Sequence, residues 1–414
     1  VCVAVAGPLG AQSTQYIAPG TLGAAFENRR DAIRSALESA RWHLGAVRVE
    51  PWISLREIAW VEERNPDGST RRDLTATAGA GLTALLPVGG RTTLVAQALP
   101  EYVWWRDRSE DRRLAGRYGA GVFVYGGRLS LELTGRSTDS TTQATAELDR
   151  RVQVKDDRAE LRVELPLGHE LGVFARGAFD RYSTGDHDQV PGLAALDRDE
   201  SWWVGGVRWS PFGDFSIGVG GGTSQARFDA ADAARSNHGT TTYAELRLDR
   251  PKLQASVEGY RTKLESDAGS SFEGFDGDLA TARVRWEPRR SFSWSVYGSR
   301  NLSWSILGGS SFYIDQRIGT EIGLKPGWRT SFHAFYESGE HRYGDGATAG
   351  DPADRRTDDV TSAGVGGRFD LGRGLSLEAD ARRTRVENRA LGVDNDFNEL
   401  RFGVALGVGG RDLF

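Results

Sequence analysis

Several things are scarce in this chain of 414 residues. It carries one cysteine, Cys2, which excludes a disulfide framework and a thiolate zinc site. No apolar run approaches the roughly 18 residues a spanning helix needs, and only 39% of the residues are apolar. Neither sign of charge is in large excess. The 52 basic and 57 acidic residues leave a net charge of −5, which argues against nucleic acid as a main partner. Helical periodicity is also nearly absent. Low hydropathy normally points to a soluble protein, but a chain that crosses a membrane with strands reads the same way, because half of each strand is polar.

Glycine and aromatic residues are what the chain has in quantity. There are 53 glycines, almost twice the usual share of roughly 7%, with 12 Trp and 17 Phe. Glycine at this level, without a collagen period, suits tight turns and crowded strand faces rather than helices.

The chain reads as three parts. Residues 1–12, from VCVAVAGPLGAQ, look like the remnant of a secretory signal, with an apolar stretch, a turn and small residues before Gln12 or Ser13. A lipidated Cys2 is the alternative. Residues 13–46 form an N-terminal segment in which TLGAAFENRRDAIRSALESARW (21–42) is expected to be a short helix. Leu22, Phe26, Ile33 and Leu37 share one stripe of it. The third part, residues 47–414, is the bulk of the chain. The helix would either lean on the periplasmic rim of this third part or plug its interior.

From Val47 to Phe414 the pattern has period 2. In FYIDQRIGTEIGL (312–324), Phe312, Ile314, Ile318, Ile322 and Leu324 share one face, while Asp315, Arg317 and Glu321 share the other. The same alternation recurs along the chain, as in Leu129, Leu131 and Leu133, or in Leu375, Leu377, Ala379 and Ala381. Short turns such as Val88-Gly89-Gly90, Gly126-Gly127 and Pro211-Phe212-Gly213 alternate with longer polar links at 64–72, 183–200, 229–239 and 344–356. That asymmetry is the habit of outer-membrane barrels. The predicted fold is therefore an all-β, transmembrane, antiparallel up-and-down β-barrel of about 18 strands, with 16 to 20 possible. The count turns on 141–165, which is one long strand or two.

Tryptophan supports the membrane assignment. Trp60, Trp104, Trp105, Trp202, Trp203 and Trp304 fall near long-loop ends, and Trp209, Trp286, Trp294 and Trp328 near short-turn ends. Two belts are what membrane interfaces select. The C-terminal ELRFGVALGVGGRDLF, with Phe402, Val404, Leu406, Val408 and Phe414 in one parity, resembles the sorting signal read by the barrel-assembly machinery, although Asp412 departs from it. The expected site is thus the outer membrane, with its lipids and lipopolysaccharide, and the assembly machinery, as partners.

On this assignment the interior carries both signs of charge. Candidate pore-lining residues are Arg113, Arg117, Glu132, Arg162, Arg208, Glu245, Arg247, Glu258, Arg283, Arg285, Asp315, Arg317, Glu321, Glu337, Glu378 and Asp380. They read either as Arg–carboxylate pairs that satisfy a wet interior or as a ladder for a polar solute, with Tyr260, Tyr313 and Phe335 as stacking surfaces. A lumen of one sign would have implied ion selectivity.

No chemistry-bearing motif stands out. Ser331 and His333 share a strand face, but no motif supports catalysis. Asp186-His187-Asp188 lacks a fourth metal ligand. GVGGGTS (218–224) lacks the Lys-Ser/Thr of a phosphate loop and sits within a strand pattern. Neither a cofactor nor an enzymatic activity is expected.

The segment ARWHLGAVRVEPWISLREIAWVEERN (40–65) resembles the opening of the β-barrel porin families found with exopolysaccharide gene clusters, and the general plan from Arg41 to Phe414 follows theirs. Trp60-Val61-Glu62-Glu63 stands where that first strand often ends in a Gly-Tyr-Asp-x-Asn-like sequence. The resemblance implies a porin-like outer-membrane protein associated with surface polysaccharide export and its components. The expected function is passage of a polar solute. The alternative is a closed structural or binding barrel.

Overall fold

A computed structural model describes residues 17–21, 29–64, 70–127, 129–148, 150–185, 187, 190, 192–229, 233–267, 269, 272–306, 310–344, 356–372, 375–388, 393–406 and 413. The signal-like residues 1–12, Asp186, Asp188, Val408, Asp412 and Phe414 lie outside them.

The alternating segments become long antiparallel strands. After the three-residue β1 (Trp42–Leu44) come β2 (Val47–Arg64), β3 (Thr70–Val88), β4 (Thr92–Trp105), β5 (Arg113–Gly126), β6 (Leu129–Gln143) and β7 (Arg151–Pro166). Next are β8 (Leu171–Thr184), β9 (Arg198–Phe212), β10 (Phe215–Phe228), β11 (Asn237–Arg250), β12 (Leu253–Ser266) and β13 (Phe275–Arg289). The last are β14 (Phe292–Trp304), β15 (Phe312–Leu324), β16 (Thr330–Tyr343), β17 (Thr357–Gly372), β18 (Leu375–Asn388) and β19 (Val393–Leu406). Each of β2 to β18 pairs with the next strand, and β19 pairs back onto β2, so the sheet closes with 18 strands; β1 pairs only with β2. Closure removes the sheet edge that an open sheet would leave in lipid. Residues 141–165 resolve into two strands, β6 and β7.

The alternation sets the faces. Ile318, Ile322 and Leu324 on β15, Val207 and Trp209 on β9, and Val257 on β12 stand 43–64% exposed on the outer wall. Asp315 and Arg317, between the outward residues of β15, are buried inside at 2% and 3%. The apolar face of FYIDQRIGTEIGL thus points outward over its middle and turn end. Phe312 and Ile314 share that parity yet are buried beneath the loops.

Two parts of the chain enter the barrel. Within the predicted 21–42 the described residues hold the helix α1 (Arg29–Ser39); Thr21 closes a turn onto Ala18, Trp42 already begins β1, and residues 22–28 lie outside the described residues. Ala32, Ile33 and Ala36 pack on Leu85, Val95 and Phe123, which face inward near the turn ends of β3 to β5. Its apolar stripe therefore rests on the inner wall rather than on the outer rim. At the other end the loops fold inward. Leu193 and Leu196, in a 3-10 turn after β8, share a buried cluster with Val190, Phe228, Phe272, Leu302, Trp304 and Phe312.

The tryptophan belts need a correction. At the turn end Trp209, Trp286, Trp294 and Trp328 are all exposed outward, as expected. At the loop end Trp60 and Trp203 are exposed, but Trp105, Trp202 and Trp304 are buried at 0–5%. Trp104-Trp105 and Trp202-Trp203 are neighbours on a strand, so only one of each pair can face outward.

Candidate channel lining

Three clusters of inward-facing charge line the wall. The first lies on β2, β4 and β5. A bulge in β2 between Arg56 and Ala59 places Glu57 at φ 54°, a left-handed conformation costly for a residue with a Cβ. Arg56 donates from Nε to Glu101 Oε1 at 2.7 Å, and Arg117 lies 3.7 Å from the same oxygen. Sequence reasoning found Arg117 but missed Arg56, whose parity the bulge in β2 shifts; it also missed Glu101, although that residue lies in the plain alternation of β4.

The second cluster spans β6 to β12 and centres on Glu245. Its carboxylate accepts from Arg208 Nε at 2.7 Å and from Arg176 at 3.2 Å, lies 3.2 Å from Arg247, and also accepts from the Tyr243 hydroxyl. Arg247 also donates to Glu258 at 3.2 Å, and Arg208 lies 2.8 Å from Glu164. Arg162 bonds Glu160, while Glu132 accepts from Arg29 of α1 at 3.2 Å. The glycines of β9 and β10 make room for this network. A Cβ on Gly218 would stand 2.7 Å from Glu245 Cγ, and one on Gly206 would stand 2.8 Å from the Phe174 ring. Gly206 and Gly218 thus form a floor under the Phe174 ring and the Glu245 side chain, and GVGGGTS (218–224) lies within β10, as its strand pattern implied.

The third cluster lies on β13 to β18. Arg317 forks onto Asp315 at 2.7 and 2.9 Å and reaches Glu337 at 3.4 Å. Arg285 bonds Glu287, and Arg368 donates to Glu378 at 3.1 Å. Asp380 pairs with His333 at 3.2 Å. Arg283 is 6% exposed and Glu321 half-buried on the same wall.

The candidates therefore do not behave alike. Arg113 does not join these clusters. It stands at the loop end of β5 and binds Asp139 and the Ser140 carbonyl of β6. The named aromatics are not free stacking surfaces either. Tyr260 packs 5.0 Å from Tyr243, and Tyr313 is fully buried against Tyr343. Phe335 would lie 2.6 Å from a Cβ on Gly20.

Above these clusters, residues 144–148, in the link from β6 to β7, reach across the interior to β14 and β15. The Glu147 carboxylate accepts from Ser305 Oγ at 2.6 Å and from the Ile306 N–H at 2.7 Å. The Ala146 N–H donates to Tyr313 Oη at 3.3 Å. Arg235 ties the same region together, donating to the carbonyls of Ala195 and Ser305 at 2.9 and 2.7 Å. Burial holds the Glu147 carboxyl above its ordinary range, against the opposing pull of Ser305, Ile306 and Arg356. Burial also raises Asp197, which accepts from the Thr184 N–H and hydroxyl. His187 lies 3.3 Å from Asp197; its neighbours Asp186 and Asp188 are outside the described residues.

No family model matches the chain, and no curated protein matches it. Solved structures do. Pseudomonas aeruginosa OccK2 (OpdF) matches with a TM-score of 0.51 at 12% identity, over 87% of this chain and 97% of that one. Pseudomonas aeruginosa OpdO gives 0.50 at 12%, over 87% and 96%. Acinetobacter baumannii OccAB3 gives 0.50 at 11%, over 87% and 98%. At such identities the likeness is one of fold. The chain is a closed 18-stranded barrel of the outer-membrane porin type, and its apolar outer wall belongs in the outer membrane.

Proposed function

We propose that this barrel is an outer-membrane channel for a small polar solute, with the long loops extracellular. The observation that carries the reading is a lumen lined with charge of both signs, much of it compensated in place, inside an apolar exterior. Arg247, His333 and Asp380 keep 38%, 43% and 45% of their side-chain surface open to water. Water-accessible ions are costly inside a sealed protein core but natural in a wet pore. Compensated charge favours a neutral or zwitterionic solute over a simple ion. In this reading the surrounding lipids, lipopolysaccharide included, and the barrel-assembly machinery are its partners.

Export of a surface polysaccharide is a narrower reading that rests on the resemblance of residues 40–65. A loop that bridges the interior favours short solutes over a polymer. The closed-barrel reading draws support from that same loop and from α1 inside the wall. Planar-bilayer recording separates them. Discrete conductance steps, together with swelling of proteoliposomes in small sugars or peptides, are expected of a channel. A protein that inserts folded and gives neither is a closed barrel. Swelling in oligosaccharides alone would favour the polysaccharide reading.

A further inference from the structure

The inner wall of β15 to β18 holds a piece of the chain's own backbone. Residues 17–21 read IAPGT. Proline at the second position and glycine at the third, with Gly20 at φ +81°, make Ala18–Thr21 a type II turn. The Thr21 N–H and hydroxyl return to the Ala18 carbonyl at 3.3 and 2.6 Å. Three wall residues read the main chain of this turn. Arg317 donates to the Ile17 carbonyl at 2.7 Å, and Arg382 to the Pro19 carbonyl at 3.2 Å. Glu337 accepts from the Gly20 N–H at 2.7 Å.

Phe335 supplies the apolar surface. Its ring occupies the positions a Cβ would take on Gly20 of the turn (2.6 Å) and on Gly364 of β17 (2.3 Å). The ring therefore lies between two glycines that leave it room. Phe335, Gly364 and Arg382 stand on one register line across three neighbouring strands. Two donors to carbonyls, one acceptor for an amide and an aromatic face form a set that recognises peptide groups rather than any particular side chain.

The local charge narrows the ligand further. Arg317 is held by Asp315 and Glu337, and His341 lies 3.6 Å from Asp315, so the charges beside the turn are already paired with one another. A free carboxylate would add an uncompensated charge, whereas neutral peptide carbonyls fit what is there.

We propose that this wall is a binding site for short neutral peptide segments, with the Ile17–Thr21 turn as its resident intramolecular occupant. The proposal builds on the channel reading, since a peptide released from the site would continue along the lumen. Tethering gives the turn a high effective concentration, so an external peptide competes only when the turn is displaced. Gly20→Ala displaces it, because alanine is strained at φ +81° and its Cβ meets the Phe335 ring.

The test is binding of a labelled, acetylated and amidated Ile-Ala-Pro-Gly-Thr peptide to the full-length protein in detergent, read by fluorescence anisotropy. Gly20→Ala should bind it at least tenfold more tightly than the unmodified chain. Adding Phe335→Ala or Glu337→Ala to Gly20→Ala should remove the gain. The same peptide with a free C-terminal carboxylate should bind more weakly. Equal binding by the unmodified chain and Gly20→Ala overturns the proposal, as does a gain that survives both second substitutions. Bilayer conductance is recorded separately on each variant. Absent conductance alongside specific peptide binding would remove the channel reading and leave the site standing.

Discussion

At the turn end of the barrel, Trp209, Trp286 and Trp294 stand 43–45% exposed on the outer wall, and most strands are joined by only a few residues. At the loop end, Trp105, Trp202 and Trp304 are buried, and outward-facing positions beyond the exposed Trp203 carry ions. Asp157, Arg181, Asp199 and Arg227 sit opposite one another on β7 to β10, and Arg181 bonds Asp199 at 2.8 Å. Strands of 13 to 19 residues explain the contrast, because crossing the hydrocarbon takes only roughly 9 to 11. The turn end stops near the membrane interface. The loop end continues past it, where the outward face meets water and headgroups and the loops, not lipid, cover apolar side chains.

The largest effect that would test this contrast lies in the loop core. Trp304 packs edge-on against Phe228 at 4.9 Å and donates Nε1–H to Glu200 at 2.7 Å. Trp304→Ala should cost about 3–5 kcal/mol of loop-end stability. Hydrogen exchange should show lost protection in 184–198 and 228–237, while the turn-end halves of the strands stay protected. Equal loss at both ends would mean that the barrel is one cooperative unit with no separate loop core.

Next comes the lipid-facing band. Val207 is 46% exposed at mid-strand, beside the inward Arg208. Val207→Arg should lower unfolding stability in lipid vesicles by about 2–4 kcal/mol. Arg227→Gln, at the loop end of the same outer wall, should change it by less than about 1 kcal/mol. Similar costs at both positions would refute the placement of the membrane boundary.

The glycine floor predicts a smaller effect. A Cβ on Gly206 would meet the Val219 carbonyl oxygen at 2.1 Å and the Phe174 ring at 2.8 Å. Gly206→Ala should destabilise by about 1–3 kcal/mol, as overpacking does. Gly213→Ala, at a turn where nothing approaches, should be nearly neutral in the same denaturant titration.

These differences also decide what the sequence could reveal. Strand faces are legible because membrane and lumen impose a strict period of two, so parity alone places Asp315, Arg317, Glu245 and Glu337 inside. The parity of Phe312, Ile314 and Trp304 is equally clear but carries no meaning above the membrane. There, burial depends on which loop arrives from elsewhere. VPGLAAL (190–196) reads as part of a polar link, though its apolar residues are a hint of an inward-folding loop. Arg56 is hidden by a bulge. The Pro-Gly turn at 19–20 is visible as a turn, but its partners are some 300 residues away in sequence, and no local pattern points to them.

The smallest effect concerns the link between the two sides of the loop end. Glu147 faces Ser305 and Ile306 from one side and Arg356 and Tyr343 from another, and burial outweighs all of them in raising its carboxyl. A carboxyl raised in the folded state favours its protonated form there. Its contribution to the loop bridge is complete below the ordinary carboxylate pKa and is lost as pH rises through the raised value. Acidification should therefore lengthen closed dwell times severalfold in single-channel records taken from about pH 8 down to about pH 4, the range bracketing an ordinary carboxyl and one raised by burial. Glu147→Gln keeps the bridge neutral at every pH, so its dwell times should match those of the unmodified chain at the acid end and stay there as pH rises. If the variant instead follows the unmodified chain across the whole range, the pH response belongs to another group, and the bridge is a fixed constriction rather than a movable one.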